Sequence, residues 1–150
     1  MKSRCWRYGD GWPALLVSAL VGVATNVLAA CPPLPADGKA LQQDGLQLAW
    51  RPVANGSPIQ PAAIPQGRHF SVEVQLCQGA APAGGTLERL DASMPEHRHG
   101  MNYRPRITTL GDGRYRAEGM MFHMSGRWQL EFEVRSATGT TRLVDDVRIR

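Results

Sequence analysis

Past residue 30 this 150-residue chain has no stretch with the spacing of an amphipathic helix and no internal repeat. Without helical periodicity there is nothing to build a bundle or to cover a parallel sheet, so helical and α/β folds are excluded. No Gly-x-Ser-x-Gly occurs, and Ser93 and Ser125 lack the surroundings of a nucleophile. With no activated nucleophile, base or open catalytic metal identified, the chain is read as a non-enzyme. A nucleic-acid-binding motif is also missing, and the charge is mild, with 17 Lys+Arg against 13 Asp+Glu. Nucleic acid is therefore not an expected partner. Cysteine is scarce, with three in the whole chain.

What is present begins with an export signal. Lys2, Arg4 and Arg7 precede the apolar run PALLVSALVGVATNVLAA, which ends in small residues. That order of charged, apolar and small segments is a signal peptide over residues 1–30. Gly22, Thr25 and Asn26 interrupt the run, which disfavours a retained transmembrane helix. The product is expected in the periplasm. Cleavage leaves Cys31 and Cys77, because Cys5 lies in the signal. Two readings stay open. Leu28-Ala29-Ala30-Cys31 resembles a lipobox, which would acylate Cys31 and anchor the chain to the membrane. Ordinary cleavage would instead let Cys31 and Cys77 pair as a disulfide in an oxidising compartment. Membrane association is expected only in the first case.

Residues 31–45 open on CPPLPADG and read as a Pro-rich lead-in, and residues 46–150 as one domain. Strands are predicted at Leu46–Trp50, His69–Cys77, Thr86–Ala92, Arg106–Leu110, Arg114–Phe122, Arg127–Arg135 and Thr141–Arg150. In the second of these, Phe70, Val72, Val74 and Leu76 face one way, and Ser71, Glu73, Gln75 and Cys77 the other. Pro52–Gly67 is rich in proline and glycine and reads as a long connection. Asp112-Gly113 is a two-residue hairpin signal, and Thr138-Gly139 marks a further turn. About seven short strands with regular turns predict an all-β, immunoglobulin-like antiparallel sandwich.

Three of the four histidines and five of the six methionines fall between residues 94 and 124. They form two clusters, MPEHRHGMNYRPR (Met94–Arg106) and GMMFHMSGRW (Gly119–Trp128). Simple antiparallel alternation places both loops at the same end of the sandwich. Imidazole suits copper, zinc and nickel, while thioether favours Cu(I). In an oxidising compartment His and Met are the practical copper ligands, because free thiolates are consumed. The candidate ligands are His97, His99, Met101, His123 and Met124, with Met94, Met120 and Met121 secondary. An extended segment would project His97 and His99 to the same side. Plainer roles compete. One of Met120 and Met121 must face the core, Met94 can anchor its loop, and His123 and Met124 can shape a turn. His97 and His99 can be solvated, and His69 reads as unrelated. Arg98, Arg104 and Arg106 form a positive rim suited to an anionic group or a protein partner. Tyr103 and Trp128 are placed beneath the loops, and Asp145-Asp146 and Glu131/Glu133 on solvated faces.

The two motifs together resemble the YtkA-like family of small exported bacterial domains, which are FixH-like in style. The likeness covers about residues 45–150 and is densest over Asp91–Val134. The resemblance implies an immunoglobulin-like sandwich, and neighbouring families of that architecture are linked to copper handling and oxidase assembly. His97, His99, Met101, His123 and Met124 fit the motif, whereas Ser125 stands where proline is expected. The chain is thus expected to be a copper-binding module of chaperone, resistance or oxidase-assembly type. The alternative is a metal-free module whose same loops dock on a periplasmic or membrane protein.

Overall fold

Two-residue turns with left-handed backbone set the start of the fold. The computed structural model describes residues 37–150, so the signal segment and residues 31–36 of the lead-in, Cys31 included, lie outside it. Asp44 and Gly45 (φ 52° and 79°) join β1 (Lys39–Gln43) to β2 (Leu46–Ala54). Asn55 and Gly56 (φ 52° and 77°) join β2 to β3 (Ser57–Pro58). A 3-10 turn at Pro61–Ala63 leads to β4 (Phe70–Gln78), followed by β5 (Ala81–Pro82), β6 (Thr86–Met94) and β7 (His99–Gly100). The chain ends with β8 (Arg106–Gly111), β9 (Arg114–Met120), β10 (Gly126–Ser136) and β11 (Gly139–Ile149).

These strands form two antiparallel sheets. One runs β1-β2-β4-β9-β8, with β3 added to β2 and β5 to β4; the other runs β11-β10-β6-β7. The apolar faces meet in a core that includes Leu48, Trp50, Val72, Leu76, Leu90, Leu130 and Phe132. Trp50 and Phe132 touch across the layers with ring centroids 6.0 Å apart. Each such side chain contributes about 1.5–3 kcal/mol through burial. The molecule is an all-β antiparallel sandwich, as the alternation predicts.

Several boundaries differ from expectation. β1 lies inside the segment read as a lead-in, and it raises the strands of five or more residues to eight. The Pro52–Gly67 connection holds the end of β2, β3 and the 3-10 turn, and it buries Ile64. The second face of β4 is not solvated at its far end, where Gln75 and Cys77 are buried. Gln75 Nε2 donates to the Asp112 carbonyl (3.0 Å), and Leu76 N to the Gly113 carbonyl (2.8 Å), so the β8–β9 turn folds over that face. Cys77 is disulfide-bonded, with its partner outside the described residues. β9 passes a bulge at Gly119 (φ 89°) and stops at Met120 rather than Phe122, opposite Phe70, the first residue of its partner β4.

Candidate metal centre

Two connections cross between the sheets at one end of the sandwich. Residues 95–105 carry the chain from β6 to β8, and residues 121–125 carry it from β9 to β10. Both clusters therefore come to the same end, and the histidines meet. The His97 and His99 ring centroids are 5.8 Å apart, and those of His99 and His123 are 5.3 Å apart. With metal–nitrogen bonds of about 2.0–2.1 Å, two imidazoles sharing one ion have centroids about 5–6 Å apart.

Residues 95–98 form a turn and His99 begins β7, so His97 and His99 do not lie on the extended run expected. His97 N donates to the Met94 carbonyl (3.0 Å), Arg98 N reaches the Pro95 carbonyl (3.4 Å), and Arg98 takes φ 54°. This brings His99 Nδ1 to 3.3 Å from the His97 carbonyl. A carbonyl only accepts, so Nδ1 donates and Nε2 of a neutral His99 carries the lone pair. Nε2 is buried with no hydrogen-bond partner, and so is Nδ1 of His123. An unpaired buried nitrogen costs about 1–3 kcal/mol.

Trp128 is the floor of the site and is fully buried. It stacks on Phe122 (centroids 4.7 Å, planes 20° apart) and meets the His123 ring at 5.3 Å and the His99 ring at 6.2 Å, both edge-on. Its Nε1 donates to the Met124 carbonyl (3.0 Å), which pins the second loop. Gln66 Nε2 and Gly67 N hold the same loop through the carbonyls of His123 (3.3 Å) and Phe122 (2.8 Å).

The methionines divide by depth. Met94 and Met120 are fully buried core residues, which is the plainer role weighed for them. A Cβ on Gly126 would come within 2.7 Å of Met94 Cε, so Met94 fills the space under the start of β10. Met101 and Met124 are half-buried against the core beside the histidines in sequence, and Met121 is half-buried as well.

The arginine rim is only partly free. Arg106 pairs with Glu118 (2.8 Å), while Arg98 and Arg104 are exposed. Sequence reasoning passed over Arg127, which holds Glu96, the carboxylate of the first loop, at 3.2 Å. The ring of His69 meets that of the exposed Tyr103 edge-on at 5.5 Å. Tyr103 is therefore not packed beneath the loops. Among the described residues, no group of three or more His, Cys, Asp or Glu is set out to hold a metal ion.

No family model and no curated protein matches the chain. Among solved structures it is similar to a DUF4426 family protein from Pseudomonas aeruginosa PAO1. The two share 12% sequence identity at a TM-score of 0.47, over 75% of this chain and 94% of that chain.

Proposed function

We propose that the chain is an exported β-sandwich binding module that holds copper between its two His/Met loops, in a chaperone, resistance or oxidase-assembly role. One observation carries the reading. Imidazoles from two loops distant in sequence converge, and the buried nitrogens His99 Nε2 and His123 Nδ1 have no partner within the protein. Buried polar atoms are normally satisfied, so a pair left open at one place points to a ligand that supplies the missing bonds. The donors fit copper in kind: imidazoles, with the half-buried thioethers of Met101 and Met124 close to them in sequence. The resemblance to YtkA-like domains is in keeping with this role and belongs to the same proposal.

The test is titration of the purified protein with Cu(I) and Cu(II), followed by mass spectrometry. One bound copper is expected, and it should be lost when His97 and His99 are both replaced by alanine. Unchanged copper affinity in that double variant would sink the site assignment. The second reading, a metal-free interaction module, draws on Tyr103, 44% exposed and flanked in sequence by the exposed Arg98 and Arg104. Absence of copper binding by the wild-type protein would favour it, with a periplasmic or membrane protein as the partner.

A further inference from the structure

The three histidines of the site differ in burial, and the difference assigns them different work. His99 and His123 each keep a nitrogen that is buried and unpaired. His97 is exposed on the turn, with its ring 5.8 Å from that of His99. Its backbone carbonyl is fixed against His99 Nδ1, so the residue has a structural task that does not involve its own ring. The carboxylate of this loop, Glu96, is held by Arg127 and so is drawn away from acting as a ligand.

We infer that His99 Nε2 and His123 Nδ1 form a two-nitrogen seat for a monovalent soft cation of the Cu(I) class, and that the ring of His97 is the transfer ligand through which the ion enters and leaves. This rests on the copper reading above and divides its residues by role. A seat of two neutral imidazoles, with thioether as the further donor, satisfies d10 monovalent ions, which accept two or three ligands. Zn(II) requires four. Both rings also meet the indole of Trp128 edge-on, at 6.2 Å and 5.3 Å, so an aromatic wall adjoins the pair. An exposed imidazole next to the seat lets an incoming acceptor displace one bond at a time, with no bare ion released. No electron or proton needs to move in that exchange.

The test uses the full chain, with Ag(I) as a redox-inert probe and Cu(I) under anaerobic conditions. Affinity is read by competition with a coloured Cu(I) chelator, and transfer by the rate at which that chelator removes the ion. His99→Gln and His123→Gln are each expected to weaken Ag(I) and Cu(I) binding at least a hundredfold. His97→Gln should keep affinity within about threefold while slowing transfer about tenfold, and wild-type protein should bind Zn(II) at least a hundredfold more weakly than Ag(I). Unchanged melting of the apo variants shows that any loss comes from the seat and not from unfolding. If His97→Gln loses affinity as fully as His99→Gln, or transfer is unaffected, the division of roles is wrong and the copper reading stands. If wild-type protein binds neither Ag(I) nor Cu(I), both fall together.

Discussion

Glu73 shows how one residue is tuned by its neighbours on adjacent strands. The register sets it opposite Arg51 on β2 and Arg116 on β9, and it accepts hydrogen bonds from both, at 2.9 Å and 2.6 Å. Burial pushes its carboxyl up, but the hydrogen bonds from Arg116 and Arg51 and their charges together hold it below the usual carboxylate range. A lowered folded-state value means stabilisation that is present above the unfolded pKa, about 4.3, and lost as pH falls through the folded value. Glu73→Gln is therefore expected to cost about 1–2 kcal/mol at neutral pH, with the gap to wild type closing in acid. Urea midpoints measured down the pH scale test this; a gap that stays constant would place the loss in packing. Composition reveals only part of the candidate site. The crowding of His97, His99 and His123 is visible in the sequence. That His99 presents Nε2 is not, because it depends on a turn that aims the His97 carbonyl at Nδ1.

At the scale of elements, three similar dipeptides make three similar turns. Asp44-Gly45, Asn55-Gly56 and Asp112-Gly113 all pair a first residue at φ 52° with a glycine at φ 71–79°. These are values that two-residue hairpins require. Only the third of these turns is expected from the sequence pattern, so β1 and β3 are not. The signal was there, but KALQQ lacks an apolar alternation and SP is too short to show one. The surroundings of the glycines then differ. A Cβ at Gly45 meets nothing within 4 Å, whereas one at Gly113 falls 2.5 Å from the Leu76 carbonyl, which is backbone and cannot step aside. Gly45→Ala should cost about 1–2 kcal/mol from the left-handed backbone alone. Gly113→Ala should cost clearly more and disturb the β4 contact. Equal shifts in denaturation midpoint for the two variants would show that the close approach is not felt.

At the scale of the whole molecule, the two sheets are tied at one margin by a half-buried carboxylate. Asp145 on β11, whose side chain is 11% exposed, accepts from Trp50 Nε1 on β2 (2.9 Å) and from Lys39 Nζ on β1 (2.6 Å). Its charge suggests a solvated face, but Asp145 shares its side of β11 with the buried Leu143, Val147 and Ile149, so period-two alternation turns it toward the other sheet. Asp145→Ala would leave the indole nitrogen without its acceptor and is expected to cost about 2–3 kcal/mol, and Asp145→Asn, which keeps a carbonyl, less. Chemical denaturation of both variants decides this, and a cost under 0.5 kcal/mol for the alanine would show that the sheets close without the bridge. The sequence by itself determined the strand class, because a period of two needs only local residues to be read. It also determined that the two His/Met loops share an end, since antiparallel strands simply alternate direction. Only the tertiary structure decided which donors in those loops are buried and unpaired, that Met94 and Met120 belong to the core, and that Trp128 meets the rings of His99 and His123. Those outcomes depend on how two sheets pack face to face, where each atom's surroundings come from residues far away along the chain.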